Sequence, residues 1–231
     1  GITQGFAPDA EFPLIYAEKG LLQAYLTGPG TNDFSVKAGG ALNVVPDAAP
    51  YSGEKISEVK EALKKHGFDF EEQGEGIVVL GKSIHAKDAA QGVNAISRLA
   101  IALSEVFDFG PINFLGKLVQ ENATGEAVVG KTEDEQSGEL TMNFASLEIT
   151  PEQTKIGVDM RIPVTFKKED LVAKLTKTVE KYELSYEEFD FLDSLYVPLD
   201  SELVKNLLGT YREITGDMTE PFVSGGATFA R

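Results

Sequence analysis

The sequence contains no cysteine, so neither a disulfide framework nor a thiolate metal centre can be built from it, and a reducing cytoplasm suits the chain. It lacks any apolar run near the roughly 18 residues of a membrane-crossing helix. The opening Gly1-Ile2-Thr3-Gln4-Gly5 has neither the basic start nor the apolar stretch of a signal peptide. A cytoplasmic protein without a membrane partner is expected. Basic residues are also few, with 21 Lys and Arg against 37 Asp and Glu for a formal charge of −16. That balance speaks against a nucleic-acid partner, because phosphate binding requires a basic face. Histidine is limited to His66 and His85, and no His-Glu-x-x-His pair can be written. Since a catalytic zinc normally takes three protein ligands, a self-contained site here would be almost wholly carboxylate.

What is present is enough apolar material, 42% of 231 residues, for one good core or two smaller ones. The segments 20–25 and 34–45 read as strands, the second closing on Asn43-Val44-Val45-Pro46. A short helix is predicted over 54–65, with Ile56, Val59 and Leu63 on one side and Gly67 as its stop. A buried strand follows over 68–80. Val93, Ile96, Ala100, Leu103 and Phe107 then fall at helical spacing.

After a short helix at 112–120, residues 122–138 read as an exposed acidic connector. The order of elements then starts again. Strands are predicted over 139–149 and 155–164, a helix over 168–182 with Leu171, Leu175 and Val179 inward, a strand region over 184–197, and a helix over 202–215 ended by Gly216. The strand before the first helix of each copy ends in proline, Pro46 and Pro163. Duplication, or two units of similar order arising independently, would both give this pattern. The fold class is α+β, two similarly ordered units of antiparallel sheet with helices packed on one face.

Polar residues beside strand ends are the candidates for chemistry, since rigid strands aim the loops that follow. Asp9 and Glu11 lie on a loop stiffened by Pro8 and Pro13, where a carboxylate could serve as a zinc ligand or a turn cap. His85, in Gly81-Lys82-Ser83-Ile84-His85-Ala86, could donate to an oxyanion or bond the loop backbone. Asn43 offers a donor and an acceptor to an amide, and Arg161 presents a fork suited to a carboxylate or to a neighbouring acid. His66, beside Lys64 and Lys65, reads as a helix C-terminal residue that suits the dipole.

Five segments in order carry a resemblance. These are the run from Gly5 to Gly20, Asn43-Val44-Val45-Pro46-Asp47, Gly81 to Ala86 with Gly92 to Ile96, Asp159-Met160-Arg161-Ile162-Pro163, and Ser224-Gly225-Gly226-Ala227-Thr228-Phe229-Ala230-Arg231. Together they resemble the zinc dipeptidases of the aminoacylase, carboxypeptidase G2 and carnosinase superfamily, most closely the bacterial Xaa-His dipeptidase (dipeptidase V) type.

The resemblance implies a lid domain flanked by short stubs of an α/β catalytic domain. Residues 1–19 would be the entering stub, 20–121 the first lid unit, 122–138 the connecting loop, 139–216 the second unit and 217–231 the return. It implies a metal-ligand role for Asp9, oxyanion stabilisation by His85, substrate gripping by Asn43 and Arg161, and Gly225 and Gly226 beside the substrate.

The remaining ligands of the two zinc ions would lie outside these residues, and both ends look cut. The chain alone is therefore expected neither to hold the zinc pair nor to hydrolyse peptides. The implied activity is cleavage of dipeptides with a free N-terminus, by a monomer or a lid-mediated homodimer. A free-standing binding or dimerisation module, or the lid of an N-acyl amino acid deacylase, are the alternatives.

Overall fold

The computed structural model describes residues 5–8 and 10–228. Its first half contains β1 (Ile15–Glu18), β2 (Gly20–Pro29), β3 (Val36–Gly39), β4 (Ala48–Tyr51), α1 (Ile56–His66), β5 (Phe70–Gln73) and β6 (Gly76–Leu80). A 3-10 turn at Ala86–Gln91 leads to α2 (Ala95–Val106), then α3 (Gly110–Asn113), which runs into a π-helical stretch at Phe114–Val119. The second half has α4 (Glu126–Val129), β7 (Glu133–Asp134), β8 (Gly138–Glu139), β9 (Thr141–Ile149), β10 (Gln153–Ile162) and α5 (Lys168–Val179). It closes with β11 (Ser185–Leu192), β12 (Leu195–Tyr196), α6 (Glu202–Thr215) and β13 (Phe222–Ser224).

The main sheet has five antiparallel strands in the order β11-β2-β10-β9-β3. Its pleat sorts the residues of β2: Leu22, Ala24 and Leu26 are wholly buried, while Leu21, Gln23 and Tyr25 between them stay partly exposed. Register carries the core face on to β10, where Met160 pairs with Leu22, Val158 with Ala24 and Ile156 with Leu26. Against this face pack Leu171, Leu175 and Val179 of α5 and Ile96, Leu99 and Leu103 of α2, all wholly inaccessible. Each such leucine contributes about 1.5–3 kcal/mol relative to an exposed one. α2 is apolar almost all round because α1 and the π-helical stretch also cover it.

α1 illustrates how local signals fix an element. Val59 and Leu63 bury one stripe, Lys64, Lys65 and His66 sit at the negative end of the dipole, and Gly67 closes the helix at φ 68°. That left-handed cap returns its N–H to the carbonyls of Leu63 and Lys64. The α+β class and the helices on one face of an antiparallel sheet agree with the sequence.

Several elements differ from expectation. The stretch 68–80 is a hairpin, β5 and β6, turning at Gly74-Glu75, because β5 is a largely exposed edge strand while β6 buries Ile77 and Val79 in the core. In 122–138 the pair Val128-Val129 is buried in α4, so that segment is anchored to the core as well as acidic. Strand β3 stops at Gly39, and residues 40–46 cross the face of the sheet as a loop. The stretches 20–121 and 139–216 interleave, since β2 and β3 share a sheet with β9, β10 and β11. At the far side β1 lies between β12 and β13, so the first and last described strands run side by side in parallel.

Candidate functional site

The face of the sheet opposite the helices carries polar residues that are nonetheless buried. Gly157, Asp159 and Arg161 alternate with the core residues of β10, and all three are covered. The cover is the loop 40–46, the 3-10 turn after His85, and residues 224–228. Gly157 permits the approach of that loop: a Cβ there would stand 2.4 Å from Leu42 Cδ2 and 2.4 Å from Ser146 Oγ.

Asn143, opposite Asp159 on β9, fixes the loop. Its buried amide donates to Leu42 O at 3.2 Å and to Val44 O at 2.9 Å. Asn94 in turn donates to Asn143 Oδ1 at 3.3 Å and to Phe144 O at 2.9 Å, while its own Oδ1 caps α2 by accepting from Ser97 N. The 42–44 segment is further tied to the His85 loop, with Ala86 N donating to Asn43 O at 2.8 Å and Val45 N to Ile84 O at 2.9 Å. Asn43 and His85 are thereby held on one backbone frame.

Replacing Asn143 with leucine leaves two loop carbonyls and the Asn94 amide without this partner. A loss of roughly 2 kcal/mol or more in urea unfolding is expected, together with faster amide exchange at Val45 and Ala86. Unchanged protection of those two amides would remove Asn143 from this role.

Arg161 is 3% exposed and lies in a buried ion pair. Its Nε donates to Asp159 Oδ1 at 2.6 Å and its Nη2 to Asp159 Oδ2 at 3.1 Å. Gln23 Nε2 donates to Asp159 Oδ2 at 2.8 Å, and Arg161 Nη1 to the carbonyl of Gly225 at 3.0 Å. Among the described residues this uses three of the five guanidinium N–H groups, which leaves one on each Nη. The bidentate grip fixes the plane of the fork.

His85 caps the 3-10 turn, its Nδ1 accepting from Lys87 N at 3.1 Å. An accepting Nδ1 assigns the neutral tautomer with the proton on Nε2. Partial burial and the positive Arg161 hold its pKa below the ordinary histidine value, with Asp159 opposing them. The side chain is thus poised as an uncharged N–H donor.

These residues line one open cleft of ≈ 630 Å³. It brings together Asn43, His85, Arg161 and Gly226, with Gln23, Tyr25 and Phe189 along its wall. Gly225 stands just behind, close enough to Lys87 that a Cβ would meet the lysine Cβ at 2.9 Å. Thr228 beyond it donates from N to Glu18 Oε2 at 3.2 Å and from its hydroxyl to Glu18 Oε1. His66 is elsewhere, at the end of α1, with Nε2 2.6 Å from Glu105.

Asp9 lies outside the described residues. Among the described residues no three His, Asp or Glu side chains come together as a metal-binding group.

Sequence reasoning did not single out Asp159, Asn143, Gln23 or Phe189. Asp159 and Arg161 stand two apart in a strand, a spacing that puts both on one face, and this was the available signal. Asn143 had a fainter one, an amide set among Met142, Phe144 and Ala145. Gln23 and Phe189 depend on pairing across the sheet.

Residues 73–187 match the sequence profile of the M20 peptidase dimerisation domain. Over 99% of its length the chain is 33% identical to a Bacillus subtilis protein and 29% identical to one from Staphylococcus haemolyticus. A Staphylococcus epidermidis protein is 31% identical over 98% of the chain. All three are provisionally named as dipeptidases, and the chain spans 54% of the length of each. A crystal structure of aminoacylhistidine dipeptidase from Vibrio alginolyticus superposes on 93% of this chain and 52% of its own, with TM-score 0.49 and 11% identity. The family match thus assigns residues 73–187, about half of the chain, to a peptidase dimerisation domain of the M20 type.

Proposed function

We propose that the chain is the substrate-gripping lid portion of a zinc-dependent dipeptidase that cleaves short peptides with a free N-terminus, Xaa-His or similar. The observation that carries this reading is the convergence of Asn43, His85 and Arg161 on one cleft. The two N–H groups left on Arg161 suit a peptide's terminal carboxylate, and Asn43 suits its amide. The Nε2–H of His85 suits the negative charge that develops on a carbonyl oxygen under attack. Gly225 and Gly226 would let the ligand lie close to backbone.

The relatives named as dipeptidases support the reaction class. Zinc would be held by residues beyond those described, with Asp9 as one ligand. The matched dimerisation domain favours a homodimer over a monomer, and the cytoplasm is the proposed location. Two other readings remain distinct: a deacylase of N-acyl amino acids, and a binding module without activity.

Assay of the full-length protein separates them. Dipeptide hydrolysis that is lost with a chelator and restored by zinc is the expected result. Turnover confined to N-acyl amino acids would favour the deacylase, and turnover indifferent to chelation would exclude the zinc requirement.

A further inference from the structure

The β2–β11 ladder contains one irregularity. Glu188 pairs with Ala24 and Asp190 with Gln23, which leaves Phe189 as the extra residue of a β-bulge. Beyond it Phe191 returns to the core face opposite Leu22. Bulges of this kind re-aim side chains beside functional sites.

Here the re-aimed side chain is a phenylalanine that lines the cleft while 60% exposed. Its ring meets Tyr25 edge to face, centroids 5.6 Å apart, and Lys155 Nζ lies 3.7 Å from the Tyr25 ring centroid. Tyr25 is thus braced by its neighbours, whereas Phe189 offers most of its surface to the cleft. With Leu21 and Leu42 the pair makes an apolar wall facing Asn43, His85 and Arg161.

Spacing decides what part of a ligand reaches it. Arg161 is level with Leu21 on β2, and the bulge sets Phe189 level with Gln23 and Ala24 on the strand beyond, so its backbone stands two to three residues, roughly 7–10 Å, along the sheet and two strands, roughly 9–10 Å, across it. A dipeptide main chain spans only about 7 Å. A ligand anchored at Arg161 therefore meets Phe189 with a side chain and not with its backbone.

We infer that Phe189 is a specificity-determining residue, packing against an aromatic or long apolar side chain of the substrate. The inference rests on the dipeptidase reading above. It is tested in the full-length protein with Phe189→Ala and Phe189→Leu, comparing kcat/KM for glycyl-phenylalanine and phenylalanyl-glycine with that for glycyl-glycine.

The expected result is a roughly three- to tenfold fall in the better of the two phenylalanine-to-glycine ratios for Phe189→Ala, with a smaller fall for Phe189→Leu. Ratios unchanged in both variants, or equal losses on all three peptides, would overturn the assignment of Phe189 and leave the dipeptidase reading standing. Absence of any dipeptide hydrolysis by the unmodified protein would overturn both. Because the ring is largely exposed, thermal unfolding of the variants should match that of the parent, so a changed ratio reports on the ligand and not on folding.

Discussion

Replacing Asp159 with alanine should destabilise the chain by about 3–5 kcal/mol, the usual cost of stranding one partner of a buried ion pair. The side chains of Arg161 and Asp159 are 4% and 0% exposed. Removing the carboxylate leaves the guanidinium covered and without its counter-charge, and leaves Gln23 Nε2 without its acceptor. An exposed pair such as Lys37–Glu148, 3.6 Å apart on the surface, belongs to a class worth only about 0–1 kcal/mol.

The pair as a whole is a different matter from either half. Replacing both residues at once, Asp159→Leu with Arg161→Met, removes the stranded charge and should cost distinctly less than Asp159→Ala alone. Urea unfolding of the three proteins decides the point. If the double variant proved as unstable as the single one, burial of an unpaired charge could not be the cause. The pair also does something apolar packing cannot, since it fixes the fork of Arg161 in the cleft, so the double variant is expected to lose ligand gripping.

How much of this could be read from the sequence follows from the range of the forces involved. Helices α1, α2, α5 and α6 were legible because their periodicity is local, and Gly67 and Gly216 stop α1 and α6 within a turn of where they stand. Strand partners were not legible. The interleaving of β2 with β10 and β11 depends on contacts more than a hundred residues apart in sequence, and no local pattern encodes it.

The candidate site divides in the same way. Asn43, His85 and Arg161 stood out as polar residues at strand ends, and the fold draws them to one cleft. The residues that hold them were hidden. Asn143 looks like a flaw in an apolar strand until the loop carbonyls of Leu42 and Val44 come to rest on it. Asp159 looks like half of a surface pair until loop and turn cover it. The bulge at Phe189 has no sequence mark at all, because it is a property of two strands in register.

In the full-length protein His85→Ala should lower kcat by about 10²–10³-fold, the range for removing one donor to an oxyanion. On the proposed reading the histidine acts when charge builds on the carbonyl oxygen, so kcat falls and KM changes little. His85→Gln keeps a side-chain N–H and should recover part of the loss. A fall in substrate affinity with kcat preserved would instead make His85 a binding residue.

The pH dependence follows from the same hydrogen bond. With its pKa held below the ordinary value of about 6.5, the imidazole stays neutral through neutral pH and Nδ1 remains an acceptor for Lys87 N–H. Protonation of Nδ1 on acidification turns that acceptor into a donor facing a donor, which frees the ring from the turn. The NMR titration of His85 should therefore have its midpoint below about 6.5, and protection of the Lys87 amide should fall through the same range. A midpoint at or above the ordinary value would mean that burial and the positive charge of Arg161 do not govern the ring.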